Sequence, residues 1–97
     1  MKFFHYIPNT RKGGVTIAHE LIEHEQGKTL VIAIAQASDK DTYRRRTGRD
    51  VALDNYINGR TFKLVVKGSK KNIQKRIDER LGTLSYAIYR MQSNHAN

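Results

Sequence analysis

Between residues 40 and 49 the chain reads Lys-Asp-Thr-Tyr-Arg-Arg-Arg-Thr-Gly-Arg, five cations in ten positions. A guanidinium is a planar fork of donors that fits the oxygens of phosphate or carboxylate, so this density of arginine is chemistry for an anion. On a helix at about 100° per residue, Ala52, Leu53, Tyr56 and Ile57 share the face expected to pack on a sheet. Arg45 and Arg49 continue that face toward the N-terminus, and Arg44 projects away from it. Surface helices ordinarily keep cations opposite the apolar stripe. Arg45 and Arg49 are therefore expected either beyond the sheet edge in solvent, or at its rim with donors held out to a phosphate. Gly48, four residues before Ala52, points to tight packing of the helix on the sheet, because a mid-helix glycine costs about 1 kcal/mol relative to alanine.

A second cluster, Lys67, Lys70, Lys71, Lys75 and Arg76, crowds the start of the last helix with no acid among its members. Cations at a helix N-terminus oppose the macrodipole, and a bound phosphate reverses that penalty. Arg11-Lys12-Gly13-Gly14 reads as a mobile basic loop. With Lys40, Arg44, Arg45, Arg46 and Arg49, these residues make up one candidate anion-binding surface. Glu20, Glu23 and Glu25 gather elsewhere, so charge is segregated along the chain.

Other constellations fall short of a chemistry. His19 and His24 lie five residues apart, not the four that puts two ligands on one helix face, and on a strand they point to opposite sides. Exposed histidines are the expectation there, with no metal. Asp50 and Asp54 stand one helical turn apart, and they are expected to neutralise Arg46 and Arg49 rather than hold a cation. No glycine-rich phosphate loop follows a strand, and His5, His19, His24 and His95 have no serine partner. No catalytic residue and no cofactor is assigned, and the chain is read as a non-enzyme. Phe3, Phe4, Tyr6 and Phe62 fall on strands and are expected mostly in the core.

These residues need elements to position them. Residues 2–7 read as a strand broken by Pro8. Residues 15–22 and Thr29–Ala35 read as a hairpin, with a helix over 16–26 as the alternative. The run Leu30–Ala35 is apolar on both faces, which suits the central strand of a covered sheet. Ser38 with Asp41 resembles a capping box opening a helix from about residue 40 to Ile57, which Asn58-Gly59 stops. Thr61–Val66 reads as a strand. Ser69 then caps a long helix with apolar residues Ile73, Ile77, Leu81, Leu84, Ile88 and Met91. The fold expected is α+β: a small three- or four-stranded, mainly antiparallel sheet packed by two helices, in the order ββ-β-α-β-α. One basic domain spans 1–97, with 93–97 a flexible tail.

Composition limits the function classes. Lys and Arg outnumber Asp and Glu 18 to 9, a formal charge of +9. Such an excess makes the compact state repel itself, and a polyanionic partner relieves it. There is no cysteine, hence no disulfide or thiolate site. No run of about 18 apolar residues is present, so no membrane span is expected, and the location read from this is cytoplasmic. The apolar residues Tyr86, Tyr89 and Met91 exceed what a small sheet covers, which predicts a homodimer contact through the last helix.

The segment Ser38–Ala52, with its Lys-Asp, tyrosine, arginines, Gly-Arg and Ala behind an apolar strand, resembles small uncharacterised phage-encoded proteins. That resemblance implies a phage origin, hence the host cytoplasm, and agrees with a hairpin followed by a helix. The function expected is non-catalytic binding to DNA or RNA, chiefly through phosphates. The alternative makes the arginines the interface of a phage-type inhibitor of a host or defence protein, or a pocket for a small phosphorylated ligand.

Overall fold

The run Leu30–Ala35 alternates large and small apolar side chains, and that alternation gives the sheet two unlike faces. The computed structural model describes residues 1–67 and 71–95. Its elements are β1 (Lys2–Tyr6), β2 (Lys12–His24), β3 (Gly27–Thr42), α1 (Arg45–Ile57), β4 (Phe62–Val66) and α2 (Ile73–His95). The strands form one antiparallel sheet in the order β1-β2-β3-β4. The fold is α+β, a four-stranded open sheet with two helices and a long last helix, and residues 15–24 are strand, not helix.

Each helix takes one face. Val15, Ile17, Leu30 and Ile32 point to the side where α2 lays down Ile77 and Leu81, with Phe4, Tyr6 and Leu64 around them. The opposite side carries Ala18, Ala33 and Ala35, on which α1 places Ala52. Large aliphatic side chains build the main core under α2, whereas small ones let the backbone of α1 come close. Gly48 is the clearest mark of that approach. A Cβ there would lie 2.1 Å from Thr16 Oγ1, so close helix-on-sheet packing accounts for the glycine.

Several boundaries differ from the sequence expectation, each for a tertiary reason. Strand β3 continues to Thr42, because Thr42 pairs with Lys12 across a register shift in β2. Lys40 and Asp41 are thus strand residues, and Ser38 takes the backbone N–H of Lys40 (3.3 Å) instead of capping a helix. Helix α1 begins only at Arg45, after an extended Arg44 with no side-chain cap. Gly13 and Gly14 are buried in β2 rather than lying in a mobile loop. Gly14, at φ +145°, leaves room for the Tyr43 ring, which a Cβ would meet at 2.3 Å.

The face of α1 on the sheet is Gly48, Ala52, Asn55 and Tyr56. Leu53 and Ile57 are exposed, contrary to the helical projection, because Asn55 donates to the carbonyl of Ile34 (2.9 Å) and Tyr56 to Glu20 (2.7 Å). Those two bonds fix the rotation of the helix. Ser69, the expected cap of the last helix, lies outside the described residues, and α2 continues to His95, beyond the expected start of the tail.

Helix α2 also closes the edge strand β4. Arg76 donates to the carbonyl of Lys67 and Arg80 to that of Val65, each at 2.8 Å. Four helical residues rise about 6 Å and two strand residues about 6.6 Å. The guanidiniums therefore match alternate carbonyls of a strand that would otherwise invite another chain.

Replacing Gly48 or Gly14 with alanine is expected to destabilise the fold by about 1–3 kcal/mol each. Chemical denaturation would measure this, with Gly59→Ala, where a Cβ meets nothing within 4 Å, as the variant showing backbone strain alone.

Candidate functional site

Three residues far apart in sequence meet beneath the start of α1. His5 on β1 is the register partner of Thr16 on β2. Tyr43 follows β3, and its N–H is bound by the carbonyl of Arg11 (2.8 Å). The Tyr43 hydroxyl lies 2.5 Å from both Thr16 Oγ1 and His5 Nδ1, and Thr16 Oγ1 lies 3.1 Å from His5 Nδ1. Thr16 is 0% and Tyr43 4% exposed. A ring nitrogen either donates or accepts, never both, so only two of these three contacts are hydrogen bonds at once. With Nδ1 bare, both hydroxyl protons are used inside the cluster. With Nδ1 protonated, one hydroxyl proton is left over.

Two cations of the Lys40–Arg49 segment, Arg45 and Arg49, act on this cluster. Arg45 and Arg49 stand on the His5 side, where their charges, after burial itself, hold its pKa below the usual range. Both are exposed, and their charges reach His5 and Tyr43. Burial pushes the Tyr43 phenol up, opposed by the Thr16 hydrogen bond and by Arg45 and Arg49. Arg11 is held at φ +57°, a left-handed conformation that is costly for a residue with a Cβ. Its carbonyl fixes Tyr43, and Lys12 reaches Thr42 (3.4 Å), so the basic turn abuts the start of α1.

No acid occupies the first turn of α1. Among the described residues the ion pairs are Lys28–Glu23 (3.8 Å) and Arg60–Asp54 (3.3 Å). Arg11, Lys12, Lys40, Arg44, Arg45, Arg46 and Arg49 are exposed and take part in neither. The expectation that Asp50 and Asp54 neutralise Arg46 and Arg49 is corrected: Asp54 turns to Arg60 and to Asn58 instead.

On the other side of the Thr16–Tyr43 pair opens a cavity of about 480 Å³. Its apolar wall is Ala35, Ala37 and Val51. Its polar wall includes Ser38, Asp41, Thr42 and Thr47, with Arg44 and Gly48 at the helix start. Sequence reasoning singled out Arg44 but missed His5, Thr16 and Tyr43. The available signal was the double glycine, whose second member admits the Tyr43 ring.

The second basic cluster is elsewhere. Val66 pairs with Lys28, which pairs with Glu23, so Lys67 lies by the hairpin tip. Nine strand residues separate that level from Gly14, roughly 30 Å. Lys71, Lys75 and Arg76 lie at that far end, on the α2 face, with Arg76 engaged on Lys67; Lys70 lies outside the described residues. The two clusters do not merge into one surface. His24 is exposed and bonded to Thr29 (2.9 Å), but His19 is buried, contrary to expectation. Tyr86 and Tyr89 pack on Tyr6, with ring centroids 5.7 and 5.3 Å apart, while Met91 stays outside the core. No described helix is long and apolar enough to cross a membrane.

Compared with known protein families, curated proteins and solved structures, the chain matches none.

Burial, with Lys2 and the N-terminus against Asp78, also lowers the pKa of His19. Both histidines bind protons less readily when folded, so stability is full above about pH 6.5 and is lost as pH falls through their lowered folded values. Unfolding measured between about pH 7.5 and 5 should show this decline, and His5→Asn should flatten part of it. A stability independent of pH across that window would contradict the placement of both rings.

Proposed function

We propose that this protein binds nucleic acid without catalysis, through phosphate contacts at the start of α1. The observation that carries this reading is the helix start itself. It has no acid in its first turn and no side-chain cap, and exposed cations from three segments converge on it outside the ion pairs of the described residues. An anion there satisfies free backbone N–H groups, offsets the macrodipole and neutralises the guanidiniums together. The formal charge of +9 extends the attraction beyond contact range. A cytoplasmic setting and a phage origin belong to the same proposal.

The interface centres on Arg44, Arg45, Arg46 and Arg49, with Arg11, Lys12 and Lys40 beside them. The α2 cluster is peripheral. Arg76 is committed to the edge strand, and Lys71 and Lys75 lie too far away for a short ligand to touch both ends.

Binding to a duplex of about eight base pairs, roughly 27 Å at 3.4 Å per step, should weaken linearly in log–log form with salt, by about 0.9 per phosphate neutralised. Replacing Arg44, Arg45 and Arg46 together with alanine should reduce that slope by two to three such increments, whatever the base sequence. Lys71→Ala with Lys75→Ala should leave it nearly unchanged. Fluorescence anisotropy at a series of salt concentrations measures both, and an unchanged slope in the arginine variant would sink the assignment.

A further inference from the structure

The cavity beside the arginines is not built for a bare anion. Arg44 brings a cation to it and Asp41 a carboxylate, three residues apart on one lining, yet the two do not pair with each other. A lone phosphate would gain from Arg44 and be repelled by Asp41. A ligand satisfying both must carry an anionic group at one end and an N–H edge at the other. Between those ends the lining offers an apolar side at Val51 for a flat ring, and the hydroxyl of Thr47. The volume, about 480 Å³, lies within the range of small-molecule pockets. At the floor sit Thr16 and Tyr43, whose cluster with His5 has a spare hydroxyl proton whenever Nδ1 is protonated.

We propose that this cavity receives a single nucleotide, its phosphate toward Arg44 and the first amides of α1, its base with the N–H edge toward Asp41. The inference rests on the nucleic-acid reading and narrows it. A base stacked in a duplex cannot enter a cavity without being flipped out, which costs unpairing energy. The preferred partner is a strand that presents an unpaired nucleotide. A free nucleotide has the same recognisable chemistry. Cytosine, with its exocyclic amino donor, suits a carboxylate, and thymine lacks that donor.

The test uses the full chain with labelled oligo-dC, oligo-dT and a duplex of equal length, followed by anisotropy, and with dCMP and inorganic phosphate, followed by NMR. The dC strand is expected to bind roughly tenfold tighter than the duplex, a difference of about 1.4 kcal/mol. Thr47→Trp fills the cavity from an exposed position and should abolish that preference; Val51→Trp serves if the first variant loses its fold. Asp41→Asn should narrow the dC to dT ratio. dCMP should shift the amides of residues 41–48 in a pattern that phosphate does not reproduce.

A folded cavity-filling variant that keeps the strand preference, or a wild type that has none and shows no response to dCMP, overturns the inference. The two readings fail separately. If replacing Arg45, Arg46 and Arg49 with alanine, Arg44 being kept because it lines the cavity, leaves oligonucleotide binding unchanged, the phosphate surface is wrong. dCMP shifts that the filled cavity abolishes then still support the pocket, and identify a free nucleotide as its occupant.

Discussion

Helix α1 lies so close to the sheet that only a hydrogen atom fits between its backbone at Gly48 and the Thr16 side chain. The rest of the cationic end depends on this contact. A threonine buried that completely must have its hydroxyl bonded, since an unmade bond in the interior costs about 1–3 kcal/mol. His5 and Tyr43 supply the partners, and in doing so tie β1, β2 and the β3–α1 connection to one point. Tyr43 needs the space left by Gly14, and its backbone is held by a strained Arg11. Two glycines, a threonine, a tyrosine and a histidine therefore fix where the first turn of α1 begins, and with it where four arginines stand.

The electrostatics of that turn run against folding. Cations sit at the positive end of the helix dipole, with neither an acid nor a cap to offset them. After burial, Arg45 and Arg49 also depress the protonation of His5. Such an arrangement weakens the free protein slightly and strengthens any complex with an anion, because one phosphate relieves several unfavourable terms together. The fold tolerates it because its main stability resides elsewhere.

That division follows the two sheet faces. Under α2, large aliphatic side chains close a core extended by Phe4, Tyr6 and Tyr89, and apolar burial on this scale is the dominant favourable term in folding. Under α1, alanines and a threonine form a shallow layer that contributes less burial and permits closer approach. Helix α2 has a second duty, since Arg80 occupies the Val65 carbonyl of β4 and Arg76 that of Lys67 just beyond it, which blunts one open edge of the sheet. Basic residues of similar appearance in the sequence thus serve unlike ends.

Much of the architecture is local and was readable from the residues. The alternation in 29–35, the matched lengths of the hairpin, the stop at Asn58-Gly59 and the four-and-three spacing from Ile73 each reflect the geometry of one element. The density of arginine between 44 and 49 is likewise a property of the chain. Tertiary structure alone decided the rest. The Ser38–Asp41 segment has the pattern of a helix cap, yet pairing of Thr42 with Lys12 draws it into a strand, because a ladder completed across the sheet outweighs a local preference. Leu53 and Ile57 have the spacing of a buried face, but the hydrogen bonds of Asn55 and Tyr56 rotate them outward. His5, Thr16 and Tyr43 carry no shared motif, since side chains that meet from two strands and the β3–α1 connection leave no periodic trace. The sequence by itself determined that this chain carries an arginine-dense segment on a two-faced sheet. Only the fold decided which cations stand together, that a polar cavity opens beside them, and that the second cluster lies at the far end, because those are distances between elements, which no local pattern encodes.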